Sequence, residues 1–326
     1  MPTMLLKIQM MTIMKTRLSS IFILFLFGVL KLQASYLLIP MDEEYQNDHL
    51  KAYGIAFWTL ENNLTVDWLL NYRGGSFLID YNTEIEKECI IRGVSYELIT
   101  NAYKNQLQIE LANPESNTDI IKLEKSPKVA VYSPEGNLPW DDAVTMVLTY
   151  AEIPYDVIYD EEILSDMLPV YDWLHLHHED FTGQYGKFYN SFKNAPWYIE
   201  QKINFEAEAN RLGYKKVSKQ KLDVALKIKE FLAGGGFLFA MCSATDSYDI
   251  TLASEKTDIC EYMFDGDGLS PNYQENIDYE KSIAFKNFTL IKKSIHNRNT
   301  VEKNIFIIPV NAIQLDTKIV GINIDA

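Results

Sequence analysis

The 326-residue chain is poor in cysteine and in basic residues: it has three cysteines, and 30 Lys and Arg against 45 Asp and Glu. Three cysteines are too few for a disulfide-rich scaffold, so stability must come from a hydrophobic core, which a chain of this length can build. An odd count leaves at least one thiol unpaired within the chain, and Cys242–Cys260 is a possible bridge. Internal repeats and low-complexity tracts are also lacking. The chain has no stripe of basic and aromatic residues, which argues against nucleic-acid binding.

Long apolar runs are lacking except near the N-terminus. Lys15 and Arg17 precede an apolar run at 21–30, and small Ala34 follows it. This pattern predicts a secretory signal peptide over residues 1–34, because the run is too short for a transmembrane helix. The alternative is an uncleaved anchor. We expect the mature protein to begin near Ser35 and to be periplasmic or extracellular.

Removal of this segment makes the chain more acidic. Lys plus Arg falls from 30 to 26 while the 45 acidic residues remain, so the formal net charge goes from −15 to −19. Such a chain is repelled by nucleic acids and by anionic lipid surfaces. We therefore expect no nucleic-acid partner, and membrane contact only through the signal peptide.

Periodicity predicts an α/β protein. Strands are expected at 36–40, 65–70, 76–81, 128–133, 156–159, 171–177 and 236–241, and helices at 48–61, 84–92, 101–112, 140–152, 200–212, 220–232 and 247–254. From about residue 125 strands and helices alternate, which predicts a doubly wound, mainly parallel sheet over 125–291. Residues 35–124 form an N-terminal α/β segment, and 292–326 an atypical tail without clear periodicity.

Ligands of such sheets bind beyond the carboxyl ends of the strands. That rule selects four loops as a candidate rim. They are 134–136 (Pro-Glu-Gly), 160–161 (Asp-Glu), 177–180 (His-His-Glu-Asp) and 242–243 (Cys-Ser).

Cys242 lies between an apolar strand and a run of helix N-cap residues at 243–247. A nucleophile at such a turn lies near backbone N–H groups and the positive end of a helix. The alternative is a small apolar residue that ends a core strand, since unpaired Cys is among the most buried residue types.

Three of the five histidines lie in 175–180 (His-Leu-His-His-Glu-Asp). On a strand His175 and His177 point to one face, and with Glu179 or Asp180 they offer ligands for zinc or a similar divalent ion. The spacing matches no specific zinc pattern. These histidines can instead act as a general base or form hydrogen bonds at a strand end.

Two further features compete as site markers. Residues 265–268 (Asp-Gly-Asp-Gly) look like the start of a calcium loop, but Leu269 and Pro271 stand at later ligand positions, which favours a plain acidic turn. An aromatic-rich segment offers either a pocket or stacking surface, or a loop sealed onto the domain. Its members are Tyr185, Phe188, Tyr189, Phe192, Trp197 and Tyr198.

Three segments carry a family resemblance: DWLLNYRGGSF at 67–77, YDWLHLHHEDFTGQY at 171–185, and GGGFLFAMCSATDSYD at 234–249. Over about residues 36–290 the chain resembles a secreted bacterial family catalogued as "asparagine synthetase B". The resemblance implies a class I glutamine-amidotransferase-like (flavodoxin-like) fold. The family continues beyond this length with a late Gly-Gly-His segment, so the resemblance also implies a C-terminally truncated chain in which activity can be lost.

The residues argue against ATP-dependent asparagine synthesis. Enzymes that carry out this reaction use an N-terminal Cys as nucleophile, and here no Cys follows Met1, Met14 or Ala34. They also bind the ATP pyrophosphate with a Ser-Gly-Gly-x-Asp-Ser loop, and the glycines at 234–236 lack its Ser and Asp. No ATP site is evident, and a divalent metal is the one cofactor that the residues suggest.

Two functions therefore remain open. In an exported hydrolase or amidotransferase-like enzyme, Cys242 is the nucleophile, His177 or His178 with Glu179 supplies the base or orienting group, and N–H groups near Ser243 stabilise the oxyanion. The alternative is a non-catalytic binding module for a glycan, a peptide or a protein partner.

Overall fold

The computed structural model describes residues 35–113, 115, 117–134, 143–184 and 189–290. The chain divides between Ser126 and Pro127 into two compact units. The predicted signal peptide and the predicted tail at 292–326 lie outside the described residues.

The first unit is built on a five-stranded sheet of order β4-β1-β3-β2-β5, in which every pairing is antiparallel. Its elements are β1 (Tyr36–Ile39), α1 (His49–Glu61), β2 (Val66–Leu70), β3 (Phe77–Asp80), α2 (Thr83–Arg92), β4 (Glu97–Ile99), α3 (Asn101–Leu111) and β5 (Asp119–Leu123).

Alternation along the strands buries both faces of this sheet. Leu37 and Ile39 of β1 pack with α1 and α2, whereas Leu38 packs on the opposite face with Leu107 and Leu111 of α3. Side chains cap the three helices: the Asp48, Asn82 and Thr100 oxygens accept backbone N–H groups of α1, α2 and α3 respectively. The unit is therefore a sheet covered by helices on both sides.

This antiparallel sheet corrects part of the predicted fold class. A mainly parallel sheet describes only the second unit, and the N-terminal strands form a separate sheet instead. Short connections explain the difference, because six residues between β2 and β3 allow an antiparallel return but no parallel crossover. Strands β4 and β5 were not predicted.

The second unit contains a parallel four-stranded sheet of order β7-β6-β8-β9. Its strands are β6 (Val129–Tyr132), β7 (Tyr155–Ile158), β8 (Trp173–Leu176) and β9 (Phe237–Ala240). Its helices are α4 (Ala143–Ala151), α5 (Asp160–Leu164), α6 (Tyr189–Phe192), α7 (Pro196–Arg211), α8 (Val217–Ala233), α9 (Ser243–Ala253) and α10 (Tyr262–Asp265), and a 3₁₀ turn covers Leu168–Val170.

The core of this unit lies between the sheet and its longer helices. All four residues of β6 are buried, as expected for a strand covered on both faces. Val224, Ala225 and Ile228 of α8 are fully buried against Leu174 and Leu238 of the central strands. Since all four strands are parallel, their carboxyl ends meet at one edge, where the predicted rim loops begin.

Candidate active site at the Cys242 turn

Cys242 is the second of the two residues between β9 and α9. The Met241 N–H still donates to the Leu176 carbonyl at 3.0 Å, and the helix begins at Ser243. Cys242 adopts φ 52° and ψ −134°, a conformation that non-glycine residues rarely adopt and that costs about 1–3 kcal/mol. The side chain is exposed. A strained strand-to-helix turn that presents one side chain is the geometry of a nucleophile elbow.

This turn differs from the predicted local structure at one point. Helix α9 begins at Ser243, four residues before the predicted start at Ser247, so Cys242 itself is the residue that precedes the helix. The alternative interpretation, in which Cys242 is a buried residue at the end of a core strand, is wrong because its side chain is exposed.

The possible Cys242–Cys260 bridge is also absent: the structure describes all three cysteines, and none forms a disulfide. Cys260 is buried and directs its thiol at the Gly183 carbonyl, 3.5 Å away.

The start of α9 offers one backbone donor beside Cys242. The Ala244 N–H donates to the His177 carbonyl at 3.2 Å, and the Thr245 N–H donates to the Cys242 carbonyl at 3.3 Å. The Ser243 N–H has no acceptor among the described residues, although Ser243 is only 8% exposed. An amide of the residue after the nucleophile, held near a helix N-terminus, is the usual first donor of an oxyanion hole.

The loop after β8, residues 177–180 and called the histidine loop below, is hydrogen-bonded to the same helix start. Besides the Ala244 contact with His177, the Ser243 hydroxyl donates to the His178 carbonyl at 2.7 Å and the Ser247 hydroxyl donates to the Glu179 carbonyl at 3.0 Å. Three consecutive carbonyls therefore bind one turn of α9. The fold thus brings the predicted residues at 177–179 and 242–243 together, although more than sixty positions separate them.

The three imidazoles have different surroundings. His175 is buried and its ring stacks on Phe239 with a centroid distance of 5.3 Å. His177 is half-buried and His178 is exposed, and the centroids of their two rings are 3.6 Å apart. His177 and His178 are thus the imidazoles at the surface of the site, whereas His175 belongs to the core.

Glu179 follows His178 in the same loop. One of its carboxylate oxygens accepts the backbone N–H of His177 at 3.1 Å. Burial raises the pKa of the Glu179 carboxyl above its ordinary value, although backbone N–H groups and the charges of Lys221 and His178 oppose that shift. A carboxyl with this environment can orient a neighbouring imidazole or exchange a proton with it.

The predicted metal ligands His175, His177 and Asp180 do not form a group of converging side chains. The rings of His175 and His177 have centroids 6.3 Å apart, and Asp180 accepts the backbone N–H of Thr182 at 2.7 Å and its hydroxyl at 2.5 Å. Among the described residues, the three-ligand group within metal-binding distance is Asp258, Asp265 and Asp267. The metal hypothesis for His175, His177 and Asp180 stays a prediction without support from their placement.

A lysine occupies the centre of that acidic group. The Lys216 ammonium donates to Asp258 at 3.1 Å, to Asp265 at 3.0 Å and to Asp267. The interpretation of 265–268 as an acidic turn fits this arrangement better than a calcium loop does, because a resident ammonium already satisfies the carboxylates.

The other predicted rim residues have different surroundings where the structure describes them. Asp160 is fully buried, Glu161 is exposed and pairs with Arg211 at 2.7 Å, and Glu135 and Gly136 lie outside the described residues. In the aromatic-rich segment, Tyr198 is buried and packs with Tyr189, whereas Phe192 and Trp197 are exposed; Tyr185 and Phe188 lie outside the described residues.

A buried polar cluster at the carboxyl ends of β6 and β7 was not predicted. The Lys221 ammonium lies 2.7 Å from Asp160 and donates to the hydroxyls of Tyr132 and Tyr159, both at 2.8 Å. Burial lowers the pKa of Lys221, but the charge of Asp160 and the hydrogen bonds outweigh it, so the pKa lies above its ordinary value. The Tyr132 hydroxyl and Gln220 also donate to Asp160, so each buried charge has partners.

Within the described part of the chain, no helix has the length and apolar character needed to cross a membrane. Comparisons with family models, with curated proteins and with solved structures gave no match to this chain.

Proposed function

We propose that the second unit is a cysteine-dependent acyl-transfer domain, an amidohydrolase or amidotransferase-like enzyme, with Cys242 as its nucleophile. The observation that carries this proposal is the strained conformation of Cys242 at the turn from β9 to α9. Strain of this kind persists where the surrounding structure over-determines it, and it occurs preferentially at functional sites.

The strand order supports a flavodoxin-like topology for this unit. Numbered within the unit, the sheet has the order 2-1-3-4, which matches the first four strands of the flavodoxin-like order 2-1-3-4-5. We also propose that the chain belongs to the "asparagine synthetase B" family and is exported.

The proposed reaction uses Cys242 and the side chains of residues 177–179, whose carbonyls accept hydrogen bonds from the first turn of α9. The Cys242 thiolate attacks an acyl carbon, and the oxygen that becomes negative accepts the Ser243 N–H. His177 or His178 takes the thiol proton and returns it to the leaving group as the bond to carbon breaks. Water or another nucleophile then cleaves the thioester, with the same imidazole as base. Glu179 orients that imidazole.

An activated ester tests this proposal without knowledge of the substrate. With p-nitrophenyl acetate we expect a burst of one p-nitrophenolate per chain and one acetyl group on the peptide that contains Cys242. Cys242→Ala should abolish the burst, and Cys89→Ala, in the other unit, is the matched control that should retain it. His177→Ala and His178→Ala identify the base, because its loss should slow acylation about 10²–10⁴-fold.

The competing function, a binding module, has one observation in its favour: the exposed rings of Phe192 and Trp197 lie 5.3 Å apart and offer a stacking surface. A folded protein that forms no acetyl-Cys242 and gives the same slow release as Cys242→Ala would overturn the enzyme proposal and favour this alternative.

A further inference from the structure

A small cavity in the second unit lies where four segments meet. Its walls come from Phe181 and Thr182 after the histidine loop, from the first turns of α8 near Ser218, from the end of α9 near Thr251, and from the loop near Thr257. The volume of the cavity is about 30 Å³. A single water molecule needs about 10–15 Å³ of such space, so the cavity has room for one.

Three hydroxyls in the walls of this cavity lack partners. The oxygens of Ser218, Thr251 and Thr257 are inaccessible to solvent and have no hydrogen-bond partner among the described residues. Thr251 and Thr257 are 4% and 5% exposed as whole residues. A buried hydroxyl without a partner costs about 1–3 kcal/mol, so three of them in the walls of one cavity point to a shared partner inside it.

We propose that this cavity is a binding site for one structural water, held by the hydroxyls of Ser218, Thr251 and Thr257. Three hydrogen bonds are the usual number for a buried water. The water joins the start of α8 to the end of α9 and to the loop at 257, and so fixes the helix that carries the Cys242 turn against its neighbours.

The charges around the cavity favour water over a cation. Asp258 is the carboxylate in the walls, and both of its oxygens are engaged: one accepts the Cys260 N–H at 2.9 Å and the other accepts the Lys216 ammonium at 3.1 Å. Apart from Lys219 and the Cys260 thiol, the other polar side chains in the walls are neutral hydroxyls. The ammonium groups of Lys216 and Lys219 both disfavour a cation nearby. A water can both donate to and accept from such hydroxyls.

Threonine-to-valine variants test the site through the sign of a stability change. With the water bound, Thr251→Val and Thr257→Val each remove a hydrogen bond and should lower the unfolding midpoint by about 2–4 °C. In a dry cavity each change removes an unpaired hydroxyl and should raise the midpoint. The double variant should lose less than the sum, because both changes act on the same water.

Thr59→Val is the matched control. Thr59 is fully buried in the first unit and its hydroxyl donates to the Ile55 carbonyl at 2.8 Å, so its replacement should destabilise in either case. A crystal structure at high resolution should show one density peak at about 2.7–3.0 Å from all three oxygens. Raised midpoints in both single variants, a cavity without density, or a peak at cation distances with additional ligands would overturn the proposal.

Discussion

Replacement of Cys242 by glycine should stabilise the protein relative to replacement by alanine. At φ 52° and ψ −134° a Cβ atom is strained, at a cost of about 1–3 kcal/mol, whereas glycine adopts positive φ without that cost. Glycine also has greater conformational freedom in the unfolded chain, which lowers the free energy of unfolding by about 0.4–1 kcal/mol. The midpoints of these two ranges favour Cys242→Gly by about 1.3 kcal/mol, or about 3–5 °C in the unfolding midpoint of a unit of about 200 residues.

Thermal and urea unfolding of the two variants measure this difference directly. Both variants lack the thiol, so their comparison isolates the backbone of the turn. Ala240→Gly, two residues earlier in β9, is the control: its backbone is that of an ordinary strand, so glycine should destabilise there. A Cys242→Gly variant that is less stable than Cys242→Ala would refute the argument that the turn stores strain.

Three further predictions concern the second unit. Lys221→Met should destabilise by about 3–5 kcal/mol in urea unfolding because it leaves buried Asp160 unpaired, and Asp160→Asn added to it should recover part of the loss. Gly236→Ala should cost about 1–3 kcal/mol, since its Cβ would lie 2.2 Å from a ring atom of α8, whereas Gly234→Ala meets only ordinary contacts and should change little. Burial raises the folded-state pKa of Glu179, so the stability that this carboxyl contributes is lost as pH rises from about 4.3 through the folded pKa. In unfolding measured as a function of pH, Glu179→Gln should therefore gain stability relative to the wild type from about pH 4 to about pH 7. A stability difference between the two proteins that does not change with pH would contradict this.

The sequence predicted the parts of the site that local patterns determine. An apolar strand followed by N-cap residues indicated the turn at Cys242, and alternation of strands and helices indicated the edge where the histidine loop meets it. The start of α9 was placed four residues late because Ser243 and Thr245 are typical caps, whereas a strained cysteine in the preceding position has no local signature.

The missed features depend on pairing across the chain. Strand β5 is mostly exposed and carries Asp119 and Lys122, so it lacks an apolar pattern. Strand β4 has three residues, too few to show a period. Lys221 and Asp160 are 61 positions apart, and a lysine in an amphipathic helix is normally solvated, so composition gives no sign that this one is buried.

The pH dependence of cysteine alkylation tests the central claim most directly. If Cys242 is an activated nucleophile at the start of α9, iodoacetamide should label it in the native protein with a midpoint below the ordinary thiol pKa of about 8.5, and loss of the catalytic imidazole should raise that midpoint. Cys89 and Cys260 should react only after denaturation, since burial raises the pKa of Cys89 to about 12 and that of Cys260 well above its ordinary value. A Cys242 that titrates at or above 8.5, or that stays unlabelled until the protein unfolds, would contradict the account.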